Sequence, residues 1–174
     1  MALKPDRKFV DGTDVSYFMP TTAQRGIAVI FGSTAGSGVA MDDPSAVVQA
    51  PTGTVYGLLA GGIGSGCPIV GILLTDVVNV DLTKYHLNQH QDQVQIGGKV
   101  TLLRRGTCVT NMIATGFNPT AGQIALAYDT VGNMTGVTAT TWATLAGYGS
   151  WSKIGTWLSS KDSDGYAKLE VNLV

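Results

Sequence analysis

The side chains best suited to chemistry in this chain are two histidines, His86 and His90, in the stretch YHLNQH. Because they stand four residues apart, they would share one face of a helix, as the zinc ligands of an H-E-x-x-H motif do. The glutamate of that motif is missing, since Leu87 follows His86, and no third ligand is obvious. We therefore expect a surface or interface pair rather than a metal site.

Nucleophilic and acid–base catalysis lack their usual residues. Neither Ser33 nor Ser65 lies in the G-x-S-x-G pattern of serine hydrolases. The chain has one glutamate, Glu170, which lies two residues after Lys168 on the predicted final strand. The stretch DSDG at 162–165 is similar to the start of a calcium loop, but no bidentate glutamate follows, and a turn explains it better. We expect no catalytic residue, no metal and no cofactor, and hence no enzyme.

The stretch GLLAGGIGSGCPIVGILL, residues 57–74, belongs to an uncharged run long enough to span a membrane. Glycine makes up nearly a third of that run, Pro68 interrupts it, and no basic cluster or aromatic belt flanks it. A phosphate-binding loop would need a lysine after the glycines, which is missing here. We interpret the stretch as a strand, a glycine turn and a buried strand, and we expect no membrane partner.

Nucleic-acid binding is not favoured either, because the formal net charge is −1 and nucleic-acid binders concentrate positive charge. Arg104 and Arg105 are predicted to lie at a hairpin tip, with Lys99 on the strand before it. A basic pair of this kind is ordinarily a solvated turn, whereas nucleic-acid contact would need several such residues with interleaved aromatic residues.

Low charge is the main compositional feature. Charged residues make up 13% of the 174 residues, about half their usual share. Hydrophobic residues make up 44%. An uncharged exterior is typical of subunits whose surface is largely interface. The start of the chain is polar, without a secretory signal, so we expect Cys67 and Cys108 to be reduced core residues of a protein made in the cytoplasm.

Short β-type stretches separated by glycine-rich turns run through the chain. Residues 26–31 and 68–74 are apolar, residues 75–82 alternate with Val78, Val80 and Leu82 on one face, and residues 167–173 alternate cleanly. Turns are predicted at Arg105-Gly106, Gly132-Asn133 and Asp164-Gly165. The pattern predicts an all-β fold, a β-sandwich or β-barrel-like domain of short antiparallel strands with an extended N-terminal arm and little helix.

The predicted organisation is an N-terminal arm over residues 1–25 and a β-rich domain over residues 26–174. An alternative that stays open divides that domain into sub-regions 26–82 and 96–174, flanking a polar stretch at 83–95. The aromatic residues Phe9, Tyr17 and Phe18 favour an arm that orders against another surface over a frayed terminus.

Three stretches together resemble one protein family: MALKPDRKFVDGTDVSYFM at the start, residues 78–112, and the final stretch IGTWLSSKDSDGYAKLEVNLV. They are similar to the decoration, or cement, proteins of tailed bacteriophage heads. The resemblance implies a small β-rich homotrimer on the outer surface of the virion capsid, made in the host bacterial cytoplasm. Its partners would be the major capsid protein and other copies of itself.

The resemblance also implies that the protein binds the expanded icosahedral shell and cements neighbouring capsomers. An N-terminal arm commonly takes part in such contacts, so the candidate contact residues here are those with basic or aromatic side chains in the first 20 positions: Lys4, Arg7, Lys8, Phe9, Tyr17 and Phe18.

A second hypothesis is a tail, fibre or adhesin-type module that binds a host receptor or a glycan. Its sequence signal would be exposed aromatic residues clustered in loops, for which Tyr148, Trp151 and Trp157 are the nearest candidates. A small hydrolase is a third hypothesis, and it would depend on His86 or His90.

Overall fold

The fold is mostly β, with a nearly closed, barrel-like sheet of antiparallel strands, as the sequence predicts. The computed structural model describes residues 3–4, 12–31, 48–49, 69–79, 93–129, 131–145 and 153–173. Every structural statement below concerns these residues.

The strands of the first part of the chain are β1 (Leu3–Lys4), β2 (Gly12–Phe18), β3 (Ala28–Phe31), β4 (Val48–Gln49), β5 (Ile69–Leu73), β6 (Asp76–Val78) and β7 (Gln93–Gln95). The later elements are β8 (Lys99–Thr110), β9 (Ile124–Ala127), β10 (Met134–Val137), the helix α1 (Ala139–Leu145), β11 (Lys153–Trp157) and β12 (Ala167–Asn172).

Ten of these strands form one sheet in the order β10, β9, β11, β12, β8, β5, β3 and β4, with β1 and β2 also pairing with β8. Strands β6 and β7 form a separate parallel pair. The large sheet combines strands from both proposed sub-regions of the domain. The division at residues 82 and 96 stays a prediction.

Strand β8 is the centre of the sheet because it pairs with four other strands. Its first half pairs with β2, from Phe18 opposite Lys99 to Gly12 opposite Arg105. Its second half pairs with β12, from Asn172 opposite Arg105 to Ala167 opposite Thr110. Strand β5 adds a short pairing in the first half and β1 adds one in the second.

The prediction of a hairpin at Arg105-Gly106 is wrong. Both residues lie inside the continuous 12-residue strand β8. Gly106 has a φ of 132°, a value that glycine adopts readily, so the backbone is irregular there without reversing. The basic pair Arg104 and Arg105 therefore lies within the sheet and not at a solvated tip.

The core lies on both sides of this sheet. The inner cluster fills the barrel and includes Trp157, Leu169, Ile154, Cys108, Leu103, Ile72 and Ala28. The outer cluster packs against the outside of β3, β5 and the first half of β8, and includes Met19, Val29, Val48, Leu73, Val77 and Leu102. Adjacent side chains of a strand point to opposite faces, so the neighbours Leu102 and Leu103 enter different clusters.

A third, smaller cluster lies outside β9 and β10. Trp142 of α1 packs there against Leu126 and Val137. The helix begins after Thr138, whose Oγ1 accepts a hydrogen bond from the amide of Thr141 over 3.2 Å. This N-cap was not identified from the sequence.

Several predicted elements are confirmed. The buried strand within residues 68–74 is β5, and the apolar stretch 26–31 contains β3. The turn at Gly132-Asn133 connects β9 to β10, and Asp164-Gly165 lies in the connection between β11 and β12. Gly132 and Gly165 have φ values of 90° and 83°.

The alternation predicted for residues 75–82 is wrong in phase where it can be compared. Strand β6 ends at Val78, and Val77 rather than Val78 is its buried residue. Val77 enters the outer cluster, so packing against that cluster sets the orientation of the strand. Val80 and Leu82 lie outside the described residues, as does most of the glycine-rich stretch 57–68.

Candidate functional site: the N-terminal strands along β8

The predicted arm enters the structure as two strands along β8. In β1, Leu3 is opposite Thr110 and Lys4 is opposite Val109. In β2, the register with β8 shifts twice, once after Gly12 and once between Asp14 and Tyr17. The N-terminal strands therefore add to the sheet by backbone pairing that is less regular than the pairing of β12 with β8.

Tyr17 and Phe18 fix the end of this segment to the sheet. Tyr17 is half-buried and packs against the outer cluster. Phe18 is opposite Lys99 in the ladder, and the Lys99 Nζ lies 5.8 Å from the centre of its ring, within the range of a cation–π contact. Met19, the next residue, is fully buried.

An ion pair fixes the segment that follows β2. The Arg25 Nε lies 3.6 Å from Asp76 Oδ2, and the two side chains are 13% and 24% exposed. The backbone amide of Arg25 also donates to Asp76 Oδ1 over 2.7 Å. One carboxylate thus binds both the backbone and the side chain of Arg25, and joins residues 19–26 to β6.

The structure brings together only part of the predicted contact set. Tyr17 and Phe18 lie against the outer cluster and the start of β8, and the backbone of Lys4 pairs near the end of β8. Arg7, Lys8 and Phe9 lie outside the described residues, as do the histidines His86 and His90. The predicted role of all six contact residues stays a prediction.

Lys99, Arg25 and Asp76 were not singled out as anchors of the arm from the sequence. Lys99 was noted only as a basic residue before a turn. The sequence carries no local signal for the Arg25–Asp76 pair, because the two residues are 51 positions apart. The aromatic pair Tyr17-Phe18 beside Met19 was the available signal that this segment packs against something.

Cys108 is a buried free thiol in the inner cluster, as expected for a core cysteine. Burial disfavours the charged thiolate, which raises the pKa of Cys108 to about 12 from 9.0. A thiol of this kind is a poor nucleophile at neutral pH. Cys67 lies outside the described residues.

The stretch DSDG forms a turn, as predicted. The Asp162 Oδ1 accepts the amides of Asp164 and Tyr166 over 3.0 and 2.8 Å, and the amide of Gly165 donates to the carbonyl oxygen of Asp162. The carboxylate therefore stabilises the connection between β11 and β12. Across the described ranges, no group of three or more His, Cys, Asp or Glu side chains is placed to hold a metal ion.

Trp157 does not belong to an exposed aromatic cluster, so this part of the glycan-binding hypothesis is wrong. It lies in β11, is fully buried, and donates from its Nε1 to the carbonyl oxygen of Thr135 over 3.1 Å. Ile154 and Trp157 both lie in the inner cluster although they are three residues apart, since the register of β11 with β9 shifts between Lys153 and Gly155. Tyr148 and Trp151 lie outside the described residues.

Among the residues that the structure describes, no helix combines the length and the apolar character needed to cross a membrane. Comparison with known protein families finds no family that matches the chain. No curated protein matches it in sequence either.

Proposed function

We propose that this chain is a structural, non-enzymatic virion protein that binds the outside of the expanded icosahedral capsid of a tailed bacteriophage. It would stabilise the shell by cementing neighbouring capsomers, as a homotrimer whose partner is the major capsid protein. Binding that is confined to the expanded lattice would stabilise that lattice by mass action, and many modest contacts on one shell would suffice.

The observation that supports the proposal is the placement of the three stretches that resemble decoration proteins. They contribute β1 and β2, β7 and β8, and β11 and β12. All of these except β7 pair with one another through β8 and β12, whereas β7 pairs with β6 in the separate sheet. Five of the six strands in the resembling stretches therefore form one contiguous part of the large sheet, although their segments are far apart in sequence. The low charged share of 13% is consistent with a surface that is largely interface.

The test is co-sedimentation of the purified protein with expanded and with unexpanded phage heads, together with light scattering. We expect trimers, and binding to expanded heads only. A strict monomer that fails to sediment with expanded heads would exclude the proposal.

Testing the role of the arm requires a truncation that leaves the core intact. Deleting residues 1–20 would remove β2 and the fully buried Met19, so binding and folding would be lost together. Deleting residues 1–11 instead leaves β2 in place. We expect this shorter truncation to weaken capsid binding while the midpoint of urea unfolding changes little, and equal loss of both would remove the arm from the binding surface.

A further inference from the structure

The outside of the barrel divides into three parts, and the described residues cover two of them. The outer cluster covers β3, β5 and the first half of β8, and Trp142 covers the outside of β9 and β10. The third part is formed by β11, β12 and the second half of β8. Among the described residues no hydrophobic cluster packs over it, and we call it the open face.

The open face is built from outward side chains of a regular ladder. Along β12, buried residues alternate with exposed or half-exposed ones, and cross-strand partners share a face. Glu170 is opposite Thr107 on one side and Thr156 on the other, and Lys168 is opposite Val109. Small neutral side chains therefore occupy much of a sheet surface whose inward side is packed core.

The charges on this face are mostly positive. Arg105 and Lys153 are exposed, Lys168 is half-exposed, and Glu170 is the one acidic residue among them. Three cations and one anion give a formal charge of +2, whereas the whole chain carries −1.

We propose that the open face is the surface with which this protein docks on an acidic protein surface. This inference rests on the proposed function, which makes the outer surface of the phage shell the partner. Charge complementarity supports this docking, because the described residues leave the face uncovered and its exposed side chains are mostly cationic. Three cations among threonine, valine and asparagine are too sparse for a polyanion, which is bound through denser positive charge, and they suit a protein partner with complementary potential.

The test compares charge variants for binding to expanded heads in low salt. Arg105→Glu and Lys153→Glu should each weaken apparent binding about tenfold, and Glu170→Gln should strengthen it severalfold. A variant that binds more tightly than the natural protein is not explained by misfolding. Raising the salt concentration should weaken the binding of the natural protein to heads and shrink the differences between it and the variants, because exposed charges are screened.

Lys161→Glu is the matched control, because Lys161 lies in the connection between β11 and β12, where its amide donates to Asn118 Oδ1. It makes the same charge change outside the strands of the open face and should bind like the natural protein. If the natural protein binds heads but Arg105→Glu, Lys153→Glu and Glu170→Gln all bind like the control, the open face is not the docking surface. If the natural protein binds no heads, the proposed function itself fails. Tighter binding to double-stranded DNA than to heads would also overturn the inference.

Discussion

The backbone amide of Ala28 donates a hydrogen bond of 3.0 Å to the carbonyl oxygen of Gly132, and this contact joins the turn before β10, at one end of the sheet order, to β3, the last strand but one at the other end. Ala28 begins β3, and Gly132 lies in the turn that leads into β10. The barrel is thereby nearly closed without a full ladder between these two strands. The backbones approach so closely here that a side chain at position 132 has no room.

Gly132→Ala is expected to destabilise the fold strongly. A Cβ at this position would lie 2.7 Å from the carbonyl oxygen of Ala28 and 2.8 Å from the Cβ of Ile27, and the φ of 90° is unfavourable for alanine. The left-handed backbone alone costs roughly 1–2 kcal/mol, and the clash adds to it. Urea unfolding followed by circular dichroism measures the loss.

Gly122→Ala is the control for that prediction. Gly122 has nearly the same φ, 89°, but a Cβ there meets nothing within 4 Å. It should therefore show the backbone cost of roughly 1–2 kcal/mol alone. Equal losses in the two variants would mean that the contact with Ala28 does not constrain position 132.

The surroundings of Gly132 show which parts of the fold the sequence predicts and which it does not. The turn at Gly132-Asn133 was predictable, because the turn residues are local, and so was the final strand, because its alternation is local. The closure onto Ala28 was not, since it joins residues more than 100 positions apart. The same limit explains the wrong prediction of a turn at Arg105-Gly106. Glycine marks irregular backbone, but only the pairing with β2 and β12 shows that β8 continues through it.

In the candidate site, too, local features were predictable from the sequence and long-range contacts were not. It was predictable that Tyr17 and Phe18 pack on a surface, because aromatic side chains in a polar segment need one, whereas their contact with a capsid or another subunit stays a prediction. Their actual neighbours, the outer cluster and Lys99, depend on the register of β2 with β8. That register contains two shifts that no periodic pattern encodes.

Cys108 should make the folded protein less stable as the pH rises above 9. The pKa is about 12 in the folded protein and 9.0 for an unperturbed thiol, so the unfolded chain loses this proton first. The contribution of the neutral thiol is fully present below pH 9 and is lost as pH rises toward 12, by at most about 1.4 kcal/mol per pH unit.

The measurement compares Cys108→Ala with the natural residue at position 108, both carrying Cys67→Ala, by urea unfolding at pH 8 and at pH 10.5. The difference in unfolding free energy between the two proteins should shrink at the higher pH, because alanine does not titrate. A constant difference would show that the thiol is not protected from ionisation by burial.

The Arg25–Asp76 contact should contribute through two separable parts. Asp76→Asn keeps an acceptor for the backbone amide of Arg25 and removes the ion pair, at a cost of roughly 0.5–1 kcal/mol. Asp76→Ala also leaves that partly buried amide without its acceptor, which raises the cost to roughly 1–3 kcal/mol. Unfolding measured in low and high salt separates the two, because only the ion pair is screened. Equal stability of the two variants would exclude the backbone hydrogen bond as a contributor.

Trp157 should be the most sensitive aromatic residue of the inner cluster. Trp157→Phe retains a ring but removes the Nε1 donor, so the buried carbonyl oxygen of Thr135 loses its partner. An unsatisfied buried acceptor costs roughly 1–3 kcal/mol, and the smaller ring adds a cavity. Trp142→Phe is the control, because Trp142 is only partly buried outside the barrel, and it should cost less. Thermal unfolding gives the ranking, and a larger loss for Trp142→Phe would place the more important tryptophan outside the barrel.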